Sequence, residues 1–217
     1  MSDAVVIMWG LAFLIAVVGC VPYGIWIIFN CVQKRWKRLS IKVAIPLVTL
    51  VTLVGITWVL QTVDNRRYYR GLFDAKVSLR KPLFRYNSER SFQGDGYSIS
   101  VFEMPARIRN RFESADDRLL SEFPKHPEYR DHWSFERWRG SPFDEKFTQY
   151  LDFALSSYDS ENEPDLEAHF AAIRRALNGG KAYYSFSFHG TGWLPSDIDF
   201  FVVDLERNRL YLINHNT

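Results

Sequence analysis

The residues in this chain best suited to do chemistry are its five histidines, at positions 126, 132, 169, 189 and 215. A histidine earns a catalytic or metal role only through its neighbours. His126 and His132, in 126-HPEYRDH-132, are six apart, which fits neither the helical i, i+4 pair of a zinc protease nor a Cys/His finger, so no metal is expected. His189 opens 189-HGTGW-193 between two strand patterns, where a glycine-rich connecting loop is the default reading. With His132 and Asp197 it is the residue set an envelope-acting hydrolase would have to use. His169 flanks the apolar stripe of a helix and reads as partly buried structure; His215, near the end of the chain, reads as solvated. No G-x-S-x-G turn presents a serine nucleophile, and 94-GDG-96 lacks the spacing of a phosphate loop. Asp197 and Asp199 share one face of a strand end, and Asp116-Asp117 sits where a helix N-terminus favours negative charge; neither pair by itself indicates acid/base work. Neither a cofactor nor a catalytic residue is expected.

Binding chemistry is better represented. The stretch 129-YRDHWSFERWRG-140 mixes tryptophan, tyrosine and phenylalanine with arginine, the residue types that dominate interface hot spots. Trp138, Arg137 and Arg139, with Trp193 in the glycine loop, are the expected partner-binding residues, while Trp133 reads as core packing. Charge divides along the chain: residues 64–111 hold 11 Lys/Arg against 5 Asp/Glu, and 112–217 hold 11 against 19. Residues 64–217 are therefore acidic overall, which argues against nucleic acid and favours a basic protein partner for the distal half.

The elements that must position these residues follow from hydrophobic period. Leu166, Phe170, Ile173 and Leu177 line one face of a helix over about 164–177, opened by Pro164 and closed by Gly179-Gly180. Phe143, Phe147, Leu151, Ala154 and Leu155 line a second, about 142–157, with Ser141 as N-cap, and a third is expected over about 115–123, capped by Ser114. Alternating segments at 97–102 and 184–188, a hairpin over 199–217 turning at 206–208, and weaker strands at Val77–Leu79 and Leu83–Tyr86 complete an α+β domain. Its antiparallel sheet should have four to six strands, with the helical insertion packed on one face.

Ahead of this domain, 64–217, the chain reads as a transmembrane helical hairpin, 1–63. Between Ala4 and Gln33 the only ionisable side chains are Cys20, Cys31 and Tyr23, and between Val43 and Val63 there are none. Spans of about 4–30 and 43–63 each exceed the ~20 apolar residues that cross a bilayer. Between them, the loop 31–42 carries Lys34, Arg35, Lys37, Arg38 and Lys42, and basic residues in a short loop are retained on the cytoplasmic side. Both termini should then face the periplasm of a bacterial inner membrane; Arg66, Arg67, Arg70 and Lys76 beyond the second span are what favours the alternative, a cytoplasmic domain. Pro46 falls in the first turn of the second span. Ala12, Ala16, Cys20 and Gly24 form a small-xxx-small stripe suited to helix packing, within the hairpin or between copies of the chain.

No motif identifies a family. In plan alone, the chain resembles small bacterial membrane-anchored binding proteins, immunity proteins among them. The expected role is a non-enzymatic module that binds a protein partner, a toxin being the partner that class implies. The alternatives are an envelope-acting hydrolase and a structural or regulatory subunit assembled through the spans.

Overall fold

The computed structural model describes residues 7–13, 23, 25, 36–79, 81–89, 95–125, 132–156, 163–190 and 195–217. The chain divides into two compact units, Met1–Arg66 and Arg67–Thr217.

In the first unit, residues 7–13 are helical, and Trp9 Nε1 donates to Thr57 Oγ1 at 2.9 Å. Helix α1, Trp36–Phe73, is 38 residues long. Within its segment Leu47–Phe73 an 18-residue window has a mean hydropathy of 1.6, and among the described residues this is the one helix long and apolar enough to cross a membrane. Leu47, Val48, Val51, Val54 and Trp58 are all more than half exposed. Three expectations change here. Residues 36–42, including Lys37, Arg38 and Lys42, are helix and not loop, as a run free of Gly and Pro permits. Pro46 therefore lies inside α1, where its ring removes the N–H that would bond back to residue 42. The helix also continues past Val63 to Phe73, because Leu72 and Phe73 are core residues of the second unit.

That unit is built on six strands: β1 Phe84–Asn87, β2 Gly96–Glu103, β3 Ser134–Gly140, β4 Ala182–His189, β5 Asp197–Asp204 and β6 Arg209–Asn216. They form one antiparallel sheet in the order β1-β2-β6-β5-β4-β3. The β5–β6 hairpin sits at its centre. Its turn places Asn208 at φ 55°, a left-handed conformation Asn tolerates, and the buried Asp204 accepts from the Arg207 amide at 2.9 Å. The segment Val77–Leu79 forms no strand; Val77 is buried in the core.

Both faces of the sheet carry helices, which corrects the expected one-sided insertion. On the first face Ile99, Tyr184, Phe186, Phe200, Val202 and Ile213 meet Leu151 of α4 (Thr148–Ala154) and Leu166, Phe170, Ile173 and Leu177 of α5 (Pro164–Gly179). On the second, Phe102, Phe201, Val203 and Leu210 meet Ile108 and Phe112 of α2 (Ala106–Glu113), Leu119 of α3 (Asp117–Glu122) and Phe73 at the end of α1. The run 200-FFVV-203 explains this: it is apolar at both parities, so both faces of β5 must be covered.

Local caps differ from the sequence reading for reasons of pairing. Ser141 does not cap a helix; its amide donates to Ala182 O at 2.8 Å and its hydroxyl donates to Gly180 O, so it prolongs the β3–β4 ladder. Asp144 caps the 3-10 turn Glu145–Phe147 that leads into α4. Ser114 closes α2, a helix the sequence reading does not contain, and Asp116 caps α3 by accepting from Leu119 N at 2.8 Å. Gly71 lets another backbone approach α1: Lys125 N donates to Gly71 O at 2.8 Å, and a Cβ there would stand 3.0 Å from Lys125 O.

His215 is not solvated. It is 2% exposed, stacks on Phe153 with ring centroids 4.3 Å apart, and its Nδ1 lies 2.8 Å from Phe153 O, a contact a neutral Nδ1–H donates. Burial, above all, holds its pKa below the ordinary histidine value; His169, half-buried and 4.4 Å from the Phe84 ring, is lowered for the same first reason. Both favour the neutral form in the fold. Their contribution to stability is complete above about pH 6.5, where the unfolded chain is also neutral, and is lost progressively as pH falls below it. We expect the urea midpoint to drop between pH 7 and pH 5, and to drop less steeply in His215→Gln.

Candidate functional site

Where the two central strands leave the helices of the second face, the sheet turns polar. Opposed residues on paired strands share a face, with Cβ atoms about 4.5–5.5 Å apart. Register therefore draws one row across five strands: Ser98, Asn214, Asp199, Ser187 and Phe135. The next row is Gly96, Asn216, Asp197 and His189. These rows continue the same parity that, nearer the turn of the hairpin, supplies Phe201 and Val203 to the core.

The rows are linked by hydrogen bonds. Asn214 Nδ2 donates to Asp199 Oδ1 at 2.7 Å and lies 3.1 Å from Asn216 Oδ1. Asp199 is 6% exposed, so this donor serves a carboxylate largely removed from water. Ser187 is fully buried, and among the described residues its Oγ has no hydrogen-bond partner. In the outer row His189 Nδ1 stands 3.5 Å from Asp197 Oδ2, and Ser196 Oγ reaches the same carboxylate oxygen at 3.3 Å. Two further rings close on His189: His132, with centroids 5.3 Å apart and edge-on, and Trp133, stacked at 6.3 Å.

The arrangement holds a histidine by its Nδ1 side, leaving Nε2 as the ring's other polar atom, over a floor of two carboxylates and two amides. Its accessible members, His189 and Asp197, can accept hydrogen bonds from a cationic or amide-rich ligand beside the Trp133 ring. Ser187 Oγ makes no bond to the imidazole, so the row is not a serine nucleophile with its base. Among the described residues no group of three or more His, Cys, Asp or Glu is arranged to hold a metal ion.

His132, His189 and Asp197, far apart in the chain, are thus brought together. The expected partner-binding residues fare differently. Trp138 is 1% exposed: its indole packs against Phe112 and Phe73, at 4.9 and 5.8 Å, and its Nε1 donates to Leu72 O at 2.8 Å. It is a core residue. Arg137 Nη1 donates to Glu122 O and Pro124 O, at 2.7 and 2.9 Å. Arg139 pairs with Glu136 at 2.6 Å. These two arginines border an open groove of about 560 Å³ along β3, with Leu120 and Tyr184 in its lining. Trp193, Ala16, Cys20, Gly24, Lys34 and Arg35 lie outside the described residues; Ala12 is helical. Ser187, Asp199 and Asn214 are the members the sequence reading did not select as a site. A signal is present in 185-SFSFH-189 and 197-DIDF-200, where polar residues occupy every second place in strands that are otherwise apolar, whereas 212-LINHN-216 ends in three consecutive polar residues.

No protein-family model, curated protein or solved structure matches the chain.

Trp138→Phe keeps most of the ring packing but strands the buried Leu72 carbonyl, and should cost about 1–3 kcal/mol. Trp138→Ala should cost about 3–5 kcal/mol. Denaturant unfolding of both variants measures this, and an interface role would instead leave stability near wild type.

Proposed function

We propose that the chain is a membrane-anchored, non-enzymatic recognition module that binds a basic segment of a protein partner through the polar end of the second sheet face. The observation that carries this reading is the pair of rows containing Asp197, Asp199, Asn214 and His189, walled by Trp133, in the acidic half of the chain. A cationic peptide supplies the donors that this floor accepts, and charge of opposite sign speeds encounter. Protection of a bacterial inner membrane against a toxin is the role we propose for it, supported only by the plan of apolar anchor and acidic domain; a tether raises the local concentration of a guard at the surface it protects.

For the anchor we propose the helical hairpin, its basic turn cytoplasmic and both termini periplasmic. Support comes from the Trp9–Thr57 hydrogen bond. These two residues are equally far in sequence from Gln33, as antiparallel helices turning within 31–35 would place them. The basic residues at that turn favour its retention inside.

A hydrolase is the second reading, favoured by the 3.5 Å contact between His189 and Asp197, which orients the ring as a base.

Three outcomes are expected. Asp197→Asn combined with Asp199→Asn, both near-isosteric, should weaken binding of a Lys/Arg-rich peptide by about tenfold or more, read by titration of the detergent-solubilised chain. Unchanged affinity with an intact fold would sink the recognition site. His189→Ala should reduce that affinity only modestly, whereas a hydrolase would lose turnover altogether. Protease added to spheroplasts should degrade the domain; full protection would place it in the cytoplasm.

A further inference from the structure

We propose that the beginning of the second unit carries a docking surface for anionic phospholipid headgroups, formed by Arg67, Arg70, Lys76, Arg85 and Arg107. This rests on the membrane-anchoring part of the reading above and not on the partner site.

All five side chains are exposed. One contact draws two of them together from segments far apart in the chain. Arg107 of α2 donates from Nη1 to Lys76 O at 2.9 Å, which brings these two cations to one place. Arg70 lies one turn before the end of α1, where its carbonyl accepts from Asp74 N at 3.0 Å. Arg85 of β1 opposes Ser100 in the register, on the parity that two residues later supplies Phe102 to the core containing Leu72, Phe73 and Val77.

Among the described residues, five other arginines of this unit pair with a carboxylate, while Arg137, Arg174, Arg175 and Arg209 pair with none. Arg109, Arg111, Arg118, Arg139 and Arg207 each pair with a carboxylate within 3.7 Å. The one acidic residue in the stretch from Arg67 to Lys81, Asp74, is engaged by Arg111 and Arg118. Among the described residues no carboxylate pairs with Arg67, Arg70, Lys76, Arg85 or Arg107. The exposed pair Arg107 and Lys76, with the cations at the end of α1, is a basic surface to which an external anion can bind.

The chain itself indicates which anion is close. Only 64-DNR-66 separates Val63, the end of the uncharged run, from Arg67. If the apolar run of α1 lies in hydrocarbon, Arg67 and Arg70 begin within about one to two helical turns of its end, at headgroup depth. Tyr68 and Tyr69 share that stretch, and tyrosine is enriched at the interface. Each basic residue near an anionic surface adds roughly a fivefold preference.

The test uses the full chain in detergent, exchanged into mixed phosphatidylglycerol and phosphatidylcholine, re-isolated, and its retained lipid quantified by mass spectrometry. Phosphatidylglycerol should be enriched about fivefold or more over its bulk fraction, and the enrichment should fall towards one in Arg70→Gln/Lys76→Gln/Arg107→Gln. A control that removes equal charge elsewhere, Lys125→Gln/Lys146→Gln/Lys181→Gln, should retain it. Equal retention by the first variant, or no enrichment in the wild-type chain, overturns the proposal. Competition by 50 mM inorganic phosphate alone, with no dependence on lipid, would assign the site to a free anion and overturn it likewise. Alkaline extraction of native membranes reads the anchor separately: release of the chain would refute the anchoring itself, while retention without lipid enrichment refutes only the docking surface.

Discussion

Everything in the second unit depends on the burial of 200-FFVV-203 from both sides. A strand that is apolar at both parities cannot lie on a half-solvated sheet, so β5 must be central and each face must receive its own helices. The first face obtains them from the chain between β3 and β4, the second from the chain between β2 and β3 and from the end of α1. The buried Asp204 and the left-handed Asn208 fix the turn that keeps β6 beside β5.

The same constraint explains where a site can form. Two residues further along β5 the parity that supplied Phe201 supplies Asp199 and then Asp197, and no apolar helix can sit profitably on carboxylates. The second face is thus apolar at one end and polar at the other. The polar end gathers a histidine, two carboxylates and two asparagines from β4, β5 and β6, and Trp133 and His132 from just before β3. Trp138, in the same aromatic stretch as Trp133, goes to the core because β3 changes register between Glu136 and Arg139. A shift of one place along a strand exchanges its faces.

Much of the fold was legible in residue order. The stripe Leu166, Phe170, Ile173 and Leu177 is buried throughout as its spacing requires, and the strands at 97–102, 184–188 and 199–217 occur with the hairpin turn close to 206–208. Less legible were elements whose residues serve two purposes: α2, only eight residues long, and the Ser141 region, where a serine that would suit a cap is used for strand pairing. His215 looked solvated because it lies next to the end of the chain; β6 pairs on both sides and carries it under Phe153.

The sequence by itself determined that an uncharged segment precedes an acidic-ended α+β domain, since the periods of helix and strand and the segregation of charge are local properties written in residue order. Tertiary structure alone decided that His189 meets Asp197 and His132, that Asn214 serves Asp199, and that Trp138 is interior. Those contacts depend on which strands are neighbours and in what register. That choice is made by the summed burial of distant apolar residues, and no short stretch of the chain encodes it.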